Sequence, residues 1–231
     1  MNKPLFIAEV GMNYNQSFAL ASELIKQASL SGADIVKFQL GWRDNPGELN
    51  VITENDIQHL IQISELYQIE LMFSVISLKA LELFKKFNFK SVKIASRTVG
   101  DDILFSELKA LNLNTFISFG MSDVKHYAGN KRVNDNYLFC VSKYPTYYWD
   151  LNQLPTDFSN SLFDGYSDHT LGIEASLYAL SRGAKIIEKH FTLDKSENNI
   201  RDHALSSTPA EFRTLVDLGT ELFRIYKHVN N

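Results

Sequence analysis

The sequence is short of cysteine, of long apolar runs and of excess charge of either sign, and each shortage removes a class of protein. Its one cysteine, Cys140 in "YLFCVS", permits no intrachain disulfide. That excludes a disulfide-stapled secreted fold and points to a reducing cytoplasm. Nothing beside Cys140 marks an activated nucleophile, so it reads as a buried, inert thiol. No apolar run approaches the roughly 18–20 residues that cross a bilayer, so no membrane partner is expected. The opening "MNKPLFIAEVGMNYN" holds only a strand-length apolar run that closes on Glu9. It has no small-residue cleavage site, and a signal peptide is not expected. A formal net charge of −4 gives no general attraction for nucleic acid or anionic membrane. An anionic ligand would need locally placed lysines. Pro/Gly/Ser-rich linkers are missing as well, so residues 1–231 read as one domain.

What is present is alternation. With 45% hydrophobic and 22% charged residues the chain is of ordinary globular composition. Strand-like runs fall at 5–10, 34–39, 70–75, 91–96, 114–119, 137–142, 163–168 and 185–190. Helical patterns such as "ALASELIKQASLSG" and "ENDIQHLIQISELYQ" lie between them. The last helix carries its own start signal: Thr208 as N-cap, Pro209 at the first helical position and Glu211 closing a capping box. Phe212, Leu215, Gly219, Leu222 and Tyr226 then mark one face. "LSGADIVKF" and "LSRGAKIIEKHF" echo one another, and Gly32 and Gly183 read as helix C-caps feeding the next strand. Eight such units predict an α/β fold, the (β/α)8 TIM barrel, somewhat below the ~250 residues typical of it. The fifth and sixth units look short: Met121 to Asn136 barely accommodates a full helix, so the fifth crossover is expected to be degenerate. The runner-up is an open doubly wound sheet, but no G-x-G-x-x-G follows the first strand.

In a barrel, alternate strand residues point inward and the active site lies at the strands' C-terminal ends. By that parity Glu9 lies inward with Ile7, and Lys37 and Gln39 lie opposite Val36, Phe38 and Leu40. Ser74, Lys93, Ser118, Cys140 with Ser142 and Tyr144, Ser167 with His169, and Glu188 with His190 follow the same rule. The strands begin apolar and end polar on the side of the barrel mouth. Mid-barrel lysines are costly unless paired or bound to an anion. The pattern therefore predicts an anion-binding active site.

A lone buried histidine is most often a packed core residue. Two that end consecutive strands, in "YSDHT" and "IIEKHF", weigh differently. Together they can hold a divalent ion with open positions, or one can serve as a general base beside a core histidine. Glu188 points to the same cavity as a base or a metal-supporting group. Lys37 and Lys93, with Ser96, Ser118 and Ser142, suit a phosphate or carboxylate, and either lysine could instead form a Schiff base. Arg97 either adds charge to the site or pairs with a surface acid.

The stretches "IAEVGMNYN", "GADIVKFQ", "VKIAS", "SFGMS", "CVSKYPT", "GYSDHTLGIEASLYALSRGAKIIEKHFTLD" and "DHALSSTPAEF" resemble the N-acetylneuraminate (sialic acid) synthase family. They follow the family's order over residues 5 to about 220. The resemblance implies a TIM-barrel enzyme that condenses phosphoenolpyruvate with an amino-sugar aldehyde, giving a nonulosonic acid and phosphate. It places His169 and His190 at the metal positions, with Mn²⁺ the first candidate and Mg²⁺ or Co²⁺ alternatives. Lys37, Lys93, Ser96, Ser118, Ser142 and Ser167 match phosphoenolpyruvate contacts. Glu9 and Glu188 fall at acid–base positions, and Gln39, Tyr144 and Asp202 at acceptor-binding ones.

The sequence also departs from the family. Asn-His-Asn-Gly is here Asn13 to Gln16, "NYNQ". Ser-Thr-Pro-Phe is Ser74 to Ser77, the Gly-acid pair after "KIAS" is Arg97-Thr98, and Pro-Gly-Pro is Asn199-Ile200-Arg201. The resemblance covers the barrel but not the small antifreeze-like domain that caps the partner's site in the family. A homodimer, or a separate polypeptide supplying a lid, is the corresponding expectation. Two other readings compete: a ligand-binding homologue that does not turn over or needs a partner, and another metal-dependent barrel aldolase or lyase.

Overall fold

A computed structural model describes residues 3–230. Eight strands, β1 (Leu5–Gly11), β2 (Ile35–Leu40), β3 (Glu70–Val75), β4 (Ser91–Ile94), β5 (Asn114–Phe119), β6 (Asp135–Cys140), β7 (Gly165–Asp168) and β8 (Ile186–His190), form a closed barrel in sequence order. Every pairing is parallel, and β1 bonds to both β2 and β8. Closure excludes the open sheet. Six helices cover the barrel: α1 (Phe18–Leu30), α2 (Glu54–Leu66), α3 (Leu78–Phe84), α4 (Asp102–Ala110), α5 (Glu174–Leu180) and α6 (Pro209–Val229). The fifth crossover is degenerate as its length predicts, holding only a 3₁₀ segment, Val124–Asn130. The sixth is reduced further, to two single 3₁₀ turns, Tyr148–Asp150 and Phe158–Asn160.

Strand parity builds two cores. Outward residues such as Ala8, Val36, Phe38, Phe73, Ile117, Phe139, Tyr166 and Ile187 pack with the helices. Inward residues Ile7, Ile35, Met72, Phe116, Leu138 and Ile186 form a separate apolar plug inside the barrel. Full burial of each such side chain contributes roughly 1.5–3 kcal/mol. Two residues further along most strands the inward positions turn polar, so the plug is the floor on which the site rests.

The chain's punctuation explains how the eighth unit closes on the first. Thr208 accepts from the Glu211 N–H while the Glu211 carboxylate accepts from Thr208 N–H and Oγ1, completing the capping box of α6. The face that α6 buries is Phe212, Leu215, Val216, Gly219 and Phe223. It is turned slightly from the expected stripe, leaving Leu222 and Tyr226 half-buried. Gly32 and Gly183 both adopt left-handed φ, +89° and +87°, and a Cβ at either would press on α6, at Val216 and Tyr226 respectively. The sequence echo thus marks the two helix ends on which α6 rests.

Candidate active site

Eleven of the thirteen residues matched to the family's site converge on one small chamber above the plug: Glu9, Lys37, Gln39, Lys93, Ser96, Ser118, Tyr144, Ser167, His169, Glu188 and His190, with Ser74 and Cys140 beside them. The other two, Ser142 and Asp202, line a wider cavity of about 830 Å³ directly above, sharing Gln39, Ser96 and Tyr144 with the chamber. Register accounts for the convergence. Glu9 pairs with Lys37 across β1–β2 and with His190 across β1–β8, Ser74 pairs with Lys93, and Ser167 pairs with Glu188.

Charge in the chamber is balanced but not saturated. Lys37 Nζ lies 2.6 Å from Glu9 Oε2 and 3.4 Å from Glu188 Oε2, and donates to Ser74 Oγ at 3.1 Å. Gln39 donates to Glu9 Oε1 at 3.3 Å, and Ser167 to Glu188 Oε1 at 2.7 Å. Lys93 is held more loosely, its Nζ 3.7 Å from Glu188 and 3.4 Å from the Ile94 carbonyl. Burial disfavours charge on every one of these groups, and neighbours decide the outcome. The flanking Lys37 and Lys93 overcome burial at Glu188 and pull it down to about 2. At Glu9 burial outweighs the Lys37 ammonium, and with Glu188 nearby holds the carboxyl above the ordinary carboxylate range. Glu188 and Glu9 hold Lys37 above its usual value against burial, whereas burial leaves Lys93 below it.

His169 is held by the loop that follows the neighbouring strand β6, and His190 by the loop that follows its own strand β8. Thr146 N–H donates to the His169 carbonyl, Ser207 N–H and Oγ donate to that of His190, and Tyr144 lies on the His169 ring with centroids 4.2 Å apart. His169 Nδ1 donates to the Val141 carbonyl at 2.9 Å, which leaves Nε2 as the nitrogen with a free lone pair. Burial pulls His190 down to about 3, and its Nδ1 has no protein partner. The ring centroids are 5.4 Å apart. Two buried imidazoles, one anchored through a backbone carbonyl and one with an orphaned nitrogen, fit a divalent cation. Among the described residues no group of three or more His, Cys, Asp or Glu side chains adds protein ligands.

Parity turned Cys140 inward, but its contact with His169 was not legible in the sequence. Its thiol lines the chamber 3.7 Å from His169 Nδ1, and although burial would raise its pKa, His169 draws it below the ordinary value. Among the described residues Ser118 Oγ has no partner, and Ser96 Oγ accepts from Gly120 N–H at 3.0 Å while its side chain also helps hold the Cys140 thiol down. Gly120 itself has no room for a side chain, since a Cβ would come 2.5 Å from Ser142 Oγ. Ser167, by contrast, is already engaged by Glu188. Asp168 and Lys189 alternate with the site residues on the outer side of the same strands and carry their own signal: opposite charges in register.

Asp202 reaches the cavity by a relay. Buried Asn13 donates to the Phe191 carbonyl and Ser206 Oγ, and Ser206 Oγ donates to the Asp202 carbonyl. The departures from the family pattern have separate explanations. Tyr14 packs outside the barrel against Phe18 and Phe38, its hydroxyl on Asn50. Gln16, where the family has glycine, sits at φ +62°, a conformation costing a side-chain-bearing residue roughly 1–2 kcal/mol. Ser77 N-caps α3. Arg97 pairs with no acid among the described residues; its guanidinium lies 3.9 Å from the Trp42 ring centroid and lines the cavity.

A closed parallel barrel with its polar groups gathered at the strand C-termini defines an enzyme of the TIM-barrel class. Residues 48–229 match the NeuB family. Over 93% of its length the chain is 34% identical to the uncharacterized protein MJ1065 of Methanocaldococcus jannaschii, covering 70% of that protein. Over 93% it is 32% identical to an N,N'-diacetyllegionaminic acid synthase of Campylobacter jejuni, covering 75% of it. Among solved structures, an N-acetylneuraminic acid (sialic acid) synthetase from Leptospira borgpetersenii superimposes with a TM-score of 0.86 at 28% identity, over 97% of this chain and 85% of that one. The chain belongs to the NeuB family, a family of synthases. No helix among the described residues is long and apolar enough to cross a membrane.

Proposed function

We propose that this protein condenses phosphoenolpyruvate with an amino-sugar aldehyde, forming a nonulosonic acid and releasing phosphate. The observation that carries the reading is the unsaturated chamber. Lys93 lacks a close carboxylate, and Ser118 Oγ and His190 Nδ1 have no partner. Buried polar groups left open in this way await a ligand. Lys93, Ser96, Ser118 and Ser142, beside the side-chain-free Gly120, suit the phosphate of phosphoenolpyruvate. Lys37 suits its carboxylate, with Ser167 steadying Glu188. A divalent cation on His169 and His190, manganese first and magnesium or cobalt as alternatives, would supply Lewis-acid polarisation of the acceptor carbonyl.

The chain's own groups divide the proton work. Carbon C3 of phosphoenolpyruvate attacks the aldehyde carbon, and Glu9, which burial keeps protonatable, delivers a proton to the oxygen that becomes hydroxyl. Glu188 remains a carboxylate and fixes both lysines. Water adds at C2 and the proton it releases returns to Glu9; the C2–O bond to phosphate then breaks as the new hydroxyl's proton passes to the departing phosphate, leaving the C2 ketone. Gln39, Tyr144 and Asp202 line the way in and hold the acceptor. The barrel domain would work as a homodimer or beneath a lid from another polypeptide, in the cytoplasm, with neither nucleic acid nor membrane as partner.

The test is phosphate release with Mn²⁺ across a panel of N-acetylated hexosamine aldehydes. Release should require both substrates and fall at least 1,000-fold in His190→Ala, a loss of about 4 kcal/mol of transition-state stabilisation. A second reading, ligand binding without turnover, rests on Arg97-Thr98 in place of the family's Gly-acid pair. It gains if phosphoenolpyruvate binds but no acceptor is consumed.

A further inference from the structure

The cavity above the chamber is positively charged, in a protein whose net charge is −4. Three arginines, Arg43, Arg97 and Arg201, line it, and among the described residues Asp202 is its only carboxylate. Asp202 is already taken up by Arg201, whose Nε lies 3.3 Å from Oδ1. Arg43 and Arg97 form no ion pair among the described residues. Two of the three guanidinium groups are stacked on aromatic rings, Arg97 on Trp42 and Arg201 on Tyr144 at 3.9 and 4.6 Å from the centroids. Stacking fixes the plane of a guanidinium and leaves its in-plane N–H donors free, the arrangement that receives a phosphate or carboxylate in bidentate fashion. Tyr144 also lies on His169, so the arginine-lined cavity and the chamber share a wall. Lys37 and Lys93 are not part of this charge: they lie in the chamber below, beside Glu9 and Glu188.

Resting on the synthase reading, we propose that the cavity is a subsite for a second anion, and that the acceptor is an amino-sugar aldehyde bearing a negatively charged oxo group at the end remote from the aldehyde. A phosphate ester fits three guanidinium groups best, and a terminal carboxylate shares the same chemistry. Neutral amino sugars would leave three guanidinium groups facing one carboxylate.

The experiment compares an N-acetylhexosamine 6-phosphate, the corresponding 6-carboxylate and the neutral parent, by phosphate release and by calorimetric binding. The wild type should favour an anionic acceptor at least tenfold in kcat/KM, and Arg97→Gln and Arg43→Gln should each shrink that preference about tenfold, the weight of one charge-assisted contact. Arg97→Lys should restore part of it. Preference for the 6-carboxylate keeps the subsite and names carboxylate as its anion. Equal or better use of the neutral parent overturns the proposal, as does an Arg97→Gln variant whose defect lies in KM for phosphoenolpyruvate. If nothing turns over, calorimetry separates the two claims. Selective, Arg97-dependent binding of the 6-phosphate keeps the subsite while the synthase reading fails, and equally weak binding of all three ends both.

Discussion

Two charged clusters sit on opposite sides of the same strands, and they differ in one respect. Outside the barrel, Asp168 and Lys189 are fully buried. Asp168 accepts from the Tyr166 hydroxyl, from Thr170 N–H and Oγ1 and from Ser176 Oγ, and lies 3.4 Å from Lys189 Nζ, which donates to the Thr170 carbonyl. Every polar atom of that cluster is engaged. Inside, one residue along, Glu188, Lys93, Ser118 and His190 are buried almost as deeply, yet orphaned atoms and long contacts remain. Burial alone therefore does not separate structure from chemistry. A saturated network holds β7 to β8 and aims His169 and His190, whereas an unsaturated one has valences left for substrate.

The sharpest way to break this contrast is to unpair the outer cluster. Asp168→Asn leaves Lys189 buried without a counter-charge and should cost about 3–5 kcal/mol of stability, read as a lower urea midpoint. Asp168→Leu combined with Lys189→Met should recover much of that loss, because replacing both members of a buried pair is often nearly neutral. A smaller effect is expected at the border between the clusters. Gly120→Ala brings a methyl against Ser142 Oγ and the Cys140 carbonyl. We expect a stability loss of about 1–3 kcal/mol and a rise in KM for phosphoenolpyruvate as the serines are pushed aside.

Much of this was legible in the sequence because barrel strands obey a period of two. The parity that puts Val36, Phe38 and Leu40 against helices also puts Lys37 and Gln39 into the chamber, and no tertiary knowledge is needed to read it. The capping box at Thr208 was equally local. The sixth unit also looked short, but its length alone did not show that it would hold only 3₁₀ turns. Parity placed Cys140 inward and buried, as it is, but its contact with His169 was not legible, because His169 comes from the end of the adjacent strand. Arg43 and Trp42 went unnoticed because loop residues follow no period, and only the closed barrel brings them opposite Arg97 and Arg201. Asp168 and Lys189 could have been found, since opposite charges recur at matched positions of the last two strands.

The central claim is tested most directly by measuring stability and turnover together in Lys93→Met. The account predicts a urea midpoint equal to or above that of the wild type, because the Lys93 ammonium is buried at a desolvation cost with only a 3.7 Å contact, and Glu188 keeps Lys37 and Ser167 as partners when it is lost. It also predicts that phosphate release from phosphoenolpyruvate falls at least 1,000-fold. A midpoint lowered as far as in Asp168→Asn, with turnover surviving, would show that the inner charges hold the fold and would contradict the account.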